Sequence, residues 1–112
     1  MIRVITLDDE QLALDNLNFI LKKFPELDII LSTTDANTAL DSLQTLKPDL
    51  IFADIYMPEI NGMEIAEKVL ELKLATKVIF ITAYEQYALD AFRVNAVDYI
   101  LKPVTTSKVR HS

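Results

Sequence analysis

The feature that most constrains this sequence is a regular alternation of short apolar runs with longer segments of helical period. The apolar runs are rich in β-branched and aromatic residues, which favours strands at residues 2–7, 27–31, 50–53, 78–81 and 99–101. In the four segments between these runs, apolar residues recur at helical spacing. Strands that alternate with helices indicate βαβ units and a parallel sheet. Right-handed crossovers then predict a doubly wound α/β sheet.

Local signals place the ends of the predicted helices. Pro25 stops the first helix, and Pro48 stops the second directly after Lys47. The third helix follows Gly62, and the fourth takes residues 84–92. The second strand is expected to be shorter than the others and closer to an edge of the sheet. The central strands are continuous apolar runs, as expected when helices cover both faces of a sheet.

Composition excludes several kinds of site. The chain has 112 residues, which fits one domain, and 51% of them are hydrophobic, which is enough to form a core. There is no Cys, so disulfides, thiolate zinc sites and cysteine nucleophiles are excluded. The one His, His111, argues against a His-based triad or a multi-His metal site. The one Gly excludes glycine-rich nucleotide loops, because each needs at least two glycines.

Charge and apolar run length bear on partners and location. The net charge of −6 argues against direct nucleic-acid binding by this segment, because phosphate contacts need clustered Lys and Arg. No apolar run approaches the ~18 residues that span a bilayer. The start of the chain has no charged region followed by an apolar one, so nothing indicates secretion. We therefore expect a cytoplasmic protein without a membrane partner.

Polar residues follow or end four of the predicted strands. They are Asp8 with Asp9, then Asp54, Thr82 and Lys102. In an open parallel sheet the carboxyl ends of all strands lie at one edge, where ligands bind. Four separate stretches of the sequence are therefore expected to converge on one small site.

The charges at this predicted site favour a divalent cation. Three Asp and one Lys leave a net charge of −2, and carboxylates held this close repel each other. Mg²⁺ suits such a site, because it prefers oxygen ligands and is held by carboxylates, waters and phosphate oxygens. Mn²⁺ is a second candidate. A metal beside a Lys and a hydroxyl is typical of a phosphoryl-binding site, in which one Asp is free to act as a nucleophile.

Each of these residues also has a plain structural interpretation. Asp8 or Asp9 can cap the first helix, since Asp is a favoured N-cap residue. Asp54 can begin a turn, Thr82 can be an ordinary strand residue, and Lys102 can be a solvated strand end. The convergence of all five at one edge of the sheet favours the site.

Taken together, these residues resemble the receiver domain of bacterial two-component response regulators. The resemblance runs from residue 2 to about residue 108 and rests on four elements in order: Asp8-Asp9-Glu10, Asp54 to Pro58 followed by Gly62, Thr82-Ala83, and Lys102-Pro103. It implies a flavodoxin-like five-stranded sheet of order 2-1-3-4-5. A narrower resemblance, in residues 82–92 and 95–103, is to receivers of the LytTR type, which usually precede a DNA-binding domain.

The resemblance implies a role for each site residue. Asp54 is the expected phosphoacceptor, which takes a phosphoryl group from a sensor histidine kinase. Asp9 is the expected direct Mg²⁺ ligand, Asp8 acts partly through water, and Asp54 and the backbone carbonyl of Tyr56 complete the protein ligands. Thr82 and Lys102 are expected to bind the phosphoryl oxygens.

Further residues have expected roles in switching and in the lifetime of the phosphoryl group. Tyr99 lies at the switch position and is expected to turn inward when Thr82 moves, which changes the surface of the fourth helix and fifth strand. The bond before Pro103 is expected to be cis. Tyr56 and Tyr84 flank the expected path of the hydrolytic water, so we expect a long-lived phosphoryl group.

The chain departs from the family pattern at its end. The expected domain is a single receiver spanning residues 1–112, without an output domain and with most of the fifth helix missing. It is either a segment of a longer regulator, which we favour, or a shortened stand-alone receiver. The missing helix is expected to leave Ile2, Val4 and Ile100 partly open and to promote homodimers or other self-association.

Two other functions stay open. One is an interaction module that keeps the fold without phosphoryl chemistry. The other is a small Mg²⁺-dependent phosphatase, which usually needs a second acid two residues after the nucleophile, where this chain has Tyr56. We therefore expect no enzyme acting on external substrates, but a phosphoacceptor that assists its own phosphotransfer and dephosphorylation.

Overall fold

The computed structural model describes residues 1–54, 62–82, 98–101, 105–106 and 109 of the chain. Within these ranges the strands are β1 (Ile2–Leu7), β2 (Leu27–Thr33), β3 (Leu50–Asp54), β4 (Lys77–Thr82) and β5 (Asp98–Leu101). The helices are α1 (Gln11–Leu21), α2 (Ala36–Leu46) and α3 (Gly62–Glu71). The helix expected at residues 84–92 lies outside the described residues.

The five strands form one parallel sheet in the order β2-β1-β3-β4-β5. This confirms the predicted fold class, strand number and strand order. Because β1 and β3 lie inside the sheet, their residues 4–7 and 51–54 are buried on both faces, which explains their mostly apolar sequences.

The second strand is an edge strand, as predicted, but the prediction that it is short was wrong. It has seven residues and continues through Ser32 and Thr33, which pair with Thr6 and Leu7 of β1. A register shift between Val4 and Ile5 interrupts the pairing. The strand extends beyond its apolar run because the backbone ladder with β1 supplies partners for residues whose side chains gave no strand signal.

Two apolar clusters cover the two faces of the sheet. On one face, α2 and α3 pack on Ile5, Leu7, Ile51, Ala53, Val78 and Phe80. On the other face, α1 packs on Val4, Phe52, Ile79, Ile81 and Ile100, and Val109 joins the same cluster. Alternate strand residues therefore enter opposite clusters, as the period of a strand requires.

The expectation that Val4 and Ile100 are partly open was wrong. Val4 is 0% exposed and Ile100 is 3% exposed, whereas Ile2 is 38% exposed, as expected. The physical reason is that Val109, itself buried, packs in the same cluster as Val4 and Ile100. Val109 lies in a helical turn, in which its N–H donates to the Thr105 carbonyl at 3.1 Å.

The second helix ends where its sequence signal places the end, whereas α1 already ends at Leu21, before the predicted stop at Pro25. Asp35 caps α2, because its carboxylate accepts the Asn37 N–H at 3.0 Å. Lys47 ends α2 in the left-handed conformation, with φ 44°, directly before Pro48. No helix in the described part of the chain is long and apolar enough to cross a membrane.

Candidate functional site

The carboxyl ends of β1, β3, β4 and β5 share one edge of the sheet. Leu7, at the end of β1, pairs with Ala53, so Asp8 and Asp54 follow at the same level of two neighbouring strands. Asp54 in turn pairs with Ile81, the residue before Thr82. Parallel pairing therefore aligns the polar strand ends that the sequence predicts to converge.

Three acids meet at this edge. Carboxylate oxygens of Asp8, Asp9 and Asp54 lie within 4.8 Å of one another. Asp8 is 3% exposed and Asp54 is 6% exposed, while Asp9 is partly exposed. The cluster thus has two buried acids and one acid that is accessible from solvent, so a small ligand can reach it.

The turn between β1 and α1 holds two of these acids. The Asp8 backbone N–H donates to the Thr33 carbonyl at 3.4 Å, which continues the ladder with β2. The Asp8 carboxylate accepts the Glu10 N–H at 3.0 Å and closes a side-chain turn. Glu10 occupies the N-cap position of α1, although its side chain makes no capping hydrogen bond, so neither Asp8 nor Asp9 is the N-cap residue. The capping interpretation of these two acids was therefore wrong.

The electrostatics of the cluster show most clearly at Asp9. Partial burial raises the pKa of the Asp9 carboxyl above its ordinary value, and the neighbouring negative charge of Asp8 raises it further. A hydrogen bond between the Asp8 and Asp9 side chains acts in the same direction. All three causes disfavour the ionised form of Asp9, so a cation at this point would relieve an unfavourable interaction.

The donor set fits a hard divalent cation. Three carboxylates supply oxygen ligands, which Mg²⁺ and Mn²⁺ prefer, and the −3 charge of the ionised groups exceeds that of one such cation. No Cys exists to favour a softer metal. The burial of Asp8 and Asp54 supports the fit, because repulsion between close carboxylates is stronger away from water and a cation between them would offset it.

The remaining predicted site residues are placed less completely. Thr82 is the last residue of β4 and pairs with Leu101, and Tyr99 in β5 pairs with Phe80. Lys102 follows Leu101 directly in the sequence. The backbone of Thr82 therefore lies at the carboxyl end of β4, whereas Tyr99 lies near the start of β5, level with Phe80. Lys102 lies outside the described residues, and so do the other predicted site residues: Tyr56, Tyr84 and Pro103.

Sequence reasoning missed a set of polar contacts behind the acidic turn. The Thr6 hydroxyl donates to the Asn18 side-chain carbonyl at 2.8 Å, and the Asn18 amide donates to the Ser32 hydroxyl at 2.8 Å. The available signal was a hydroxyl residue inside the apolar run of β1. Its partner is not readable from sequence, because it depends on how α1 is turned on the sheet.

Comparison with known proteins identifies similar chains. The family model described as "Response regulator receiver domain" matches residues 4–112. A "Sensory transduction protein LytT" of Bacillus anthracis is 42% identical over 109 residues, covering 97% of this chain and 44% of that protein. The protein of the same name from Bacillus subtilis (strain 168) is 38% identical over 112 residues, covering 100% of this chain and 46% of that one. The chain thus spans less than half the length of these relatives.

Solved structures share the fold. The response regulatory domain of protein mrkE from Klebsiella pneumoniae superposes with a TM-score of 0.88 at 34% identity, over 97% of this chain and 89% of that one. The signal receiver domain of the response regulator NarL from Mycobacterium tuberculosis gives a TM-score of 0.89 at 24% identity, over 96% and 89% of the two chains. The second likeness bears on the fold alone.

Proposed function

This chain belongs to the response regulator receiver domains of two-component signalling, and we propose that it is a phosphorylation-dependent switch that accepts a phosphoryl group on Asp54 in the presence of Mg²⁺. The observation that carries the proposal is the convergence of Asp8, Asp9 and Asp54, whose carboxylate oxygens lie within 4.8 Å of one another. Its similarity to LytT proteins supports a role as the receiver of a LytT-like regulator.

We assign the metal to the acidic cluster. Asp9 and Asp54 would bind it directly, Asp8 would act partly through water, and the Tyr56 carbonyl would complete the protein ligands. Mg²⁺ is the expected ion, with Mn²⁺ as a substitute. When bound, it would neutralise charge on the phosphoryl oxygens and on the buried carboxylates.

Asp54 is the proposed nucleophile. One of its carboxylate oxygens would attack the phosphorus of a kinase phosphohistidine, so that an O–P bond forms, the P–N bond breaks and the imidazole leaves with the electron pair. Its position at the end of β3, with the side chain 6% exposed, supports this role. Burial limits access of water, and the neighbouring acids provide the metal site that the transfer needs.

Thr82 and Lys102 are the proposed partners of the phosphoryl group. The Thr82 hydroxyl would donate to one oxygen, and the Lys102 ammonium would pair with another as a compact charge. The support is positional, since Thr82 ends the strand beside Asp54 and Lys102 follows the strand beside Thr82.

The proposed output is a change in the surface near β5. Phosphorylation adds negative charge and three acceptor oxygens, so new bonds to Thr82 would bias the position of Tyr99. We propose that this surface controls self-association. We also propose that the peptide bond before Pro103 is cis. We further propose that residues 1–112 form one receiver domain, that a sensor histidine kinase is the donor, and that DNA-binding output in the full-length regulator is carried by another domain.

The test is the intact mass of the protein after incubation with a small phosphodonor, with and without Mg²⁺. We expect one added phosphoryl group that requires Mg²⁺ and is lost in Asp54→Asn. The matched control is Asp41→Asn, which makes the same change at an exposed acid on α2 and should be modified like the wild type.

Two results would contradict the proposal in different ways. Modification that persists in Asp54→Asn would place the phosphoacceptor elsewhere. An unmodified wild type that binds no Mg²⁺ by calorimetry would favour an interaction module that keeps the receiver fold without phosphoryl chemistry.

A further inference from the structure

A chain of polar side chains joins α1 to two strands of the sheet. The Thr6 hydroxyl donates to Asn18 Oδ1 at 2.8 Å, and Asn18 Nδ2 donates to the Ser32 hydroxyl at 2.8 Å. Thr6 and Ser32 are register partners in β1 and β2. One amide on the helix therefore bridges a pair of adjacent residues on neighbouring strands.

These contacts lie next to the apolar layer under α1. Thr6 is 0% exposed, and Leu14, Leu17 and Leu21 of the same helix are buried. Apolar contacts tolerate small sliding of a helix on a sheet, whereas hydrogen bonds weaken steeply when distance or angle changes. Asn18 thus supplies a directional constraint that its leucine neighbours do not.

The hydrogen bonds of Asn18 connect the elements on both sides of the turn that holds Asp8 and Asp9. Thr6 lies two residues before Asp8, and Asn18 lies on the helix that begins at Gln11, directly after that turn. Ser32 is followed by Thr33, whose carbonyl accepts the Asp8 N–H. The strand before the turn, the strand beside it and the helix after it are therefore tied together through one side chain.

The burial of Thr6 makes this bond selective. A buried hydroxyl without a partner is unfavourable, so Thr6 favours the helix position at which Asn18 Oδ1 can accept its hydrogen bond. Any rotation or shift of α1 that breaks the bond also moves the first turn of the helix. Because the Asp8 side chain is bonded to the Glu10 N–H, the acids would move with that turn.

We propose that Asn18 is a positioning residue that holds the turn of Asp8 and Asp9 where their carboxylates meet Asp54. It acts through Thr6 and Ser32 and touches no metal itself. The inference rests on the proposed function, since its consequence for activity is metal binding. The position of the turn of Asp8 and Asp9 can be tested in the protein without metal.

The test uses Asn18→Leu, which keeps the size of the side chain and removes both hydrogen bonds. The matched control is Asn16→Leu, which makes the same substitution at an exposed position of the same helix. Thr6→Val is the second variant, because it removes only the donor and replaces a hydroxyl by a methyl group. Each protein is measured by calorimetric titration with Mg²⁺, by thermal unfolding and by amide NMR spectra without metal.

We expect Mg²⁺ to bind about tenfold more weakly to Asn18→Leu than to the wild type, at the lower end of the loss seen for residues that orient metal ligands. In the metal-free spectrum, the largest amide shifts outside the substituted region should fall at residues 8–11. Thr6→Val should change both readouts in the same direction. Asn16→Leu should bind Mg²⁺ like the wild type and leave residues 8–11 unshifted.

The outcomes separate this inference from the proposed function. A folded Asn18→Leu with wild-type Mg²⁺ affinity and unshifted amides at residues 8–11 would overturn the inference and leave the proposed function intact. If Asn18→Leu does not fold, Thr6→Val decides by the same criteria. If the wild type binds no Mg²⁺, the proposed function fails, and the metal-free amide shifts alone support or overturn the positioning role.

Discussion

Asp8 and Asp54 lie at the carboxyl ends of two paired parallel strands, and their carboxylate oxygens are within 4.8 Å of each other. Both side chains are buried, with 3% and 6% of their surface exposed. The sheet therefore concentrates negative charge at a point where water stabilises it poorly. A cation bound at this point would offset the repulsion among these carboxylates.

Mg²⁺ should stabilise the fold through this cluster. At a free Mg²⁺ concentration ten times the dissociation constant, the free energy of unfolding should rise by about 1.4 kcal/mol. The gain should disappear in Asp9→Asn and persist in Asp41→Asn, since Asp41 is an exposed acid on α2. Thermal unfolding with Mg²⁺ and with a chelator measures this gain. An equal gain in Asp9→Asn would mean that Mg²⁺ binds outside the cluster.

Without metal, stability should fall as pH rises through the titration of Asp9. The pKa of the folded Asp9 carboxyl is raised above 3.8 by partial burial and by Asp8, so the folded state holds this proton more tightly than the unfolded state. The loss begins near the ordinary pKa and is complete above the raised one. Asp9→Asn should therefore be the more stable protein at pH 7 in a chelator.

The check is a series of unfolding curves from pH 3 to pH 8 for both proteins, each point compared at the same pH. The difference in unfolding free energy should favour Asp9→Asn increasingly as pH rises and then level off. A difference that is constant with pH would contradict the assigned cause. The side chain is partly solvated, which keeps the expected gain small.

The sequence predicts the order of the elements well, because periodicity and strand composition are local. The expected strand at residues 2–7 coincides with β1, and the one at 99–101 differs from β5 by one residue. The end of β2 is missed at Ser32 and Thr33, because pairing with β1 decides it. The burial of Val4 and Ile100 is missed for a similar reason, since it depends on where Val109 packs.

The candidate site is predictable only in part. The meeting of Asp8 and Asp54 follows from parallel topology, since strand ends share an edge. The hydrogen bond from Glu10 to Asp8 and the bridge made by Asn18 depend on the rotation of α1, which no local pattern specifies. Residues that place the ligands are therefore harder to predict than the ligands themselves.

Lys47→Gly should stabilise the fold by about 0.5–1 kcal/mol. Lys47 ends α2 with φ 44° and ψ 62°, a conformation that is unfavourable for a residue with a Cβ and accessible to glycine. Its N–H donates to the Leu43 carbonyl at 2.9 Å, and glycine keeps this bond. Chemical denaturation measures the change.

The matched control for that substitution is Lys22→Gly. Lys22 ends α1 with φ −64° and ψ −15°, which any residue adopts, so glycine gains nothing there and adds freedom to the unfolded chain. Lys22→Gly should be neutral or destabilising. A gain at Lys22 equal to that at Lys47 would show that backbone strain is not the cause.

Leu43→Ala should destabilise the protein by about 2–5 kcal/mol. Leu43 is 0% exposed and lies in the cluster between α2 and the sheet, so truncation loses buried apolar surface and leaves a cavity. Leu12→Ala, at a side chain that is 84% exposed, should change stability by less than about 0.5 kcal/mol. If urea denaturation showed equal losses of stability for Leu43→Ala and Leu12→Ala, Leu43 would not lie in the core.

The last prediction concerns the lifetime of the phosphoryl group. Tyr56 comes two residues after Asp54, and Tyr84 comes two residues after Thr82. Asp54 and Thr82 end the neighbouring strands β3 and β4. Large side chains at both positions should hinder in-line attack by water, so Tyr84→Glu and Tyr56→Asn should each lose the phosphoryl group faster than the wild type. Each tenfold change in rate corresponds to about 1.4 kcal/mol in the barrier.

The measurement is the decay of phosphorylated protein after removal of the phosphodonor, followed by intact mass with Mg²⁺ held constant. Tyr87→Glu serves as the control, because it adds the same charge farther along the chain from Thr82. Its decay should match that of the wild type. Equal or slower decay in Tyr84→Glu and Tyr56→Asn would mean that access of water is limited elsewhere, and the burial of Asp54 itself would then be the first cause to test.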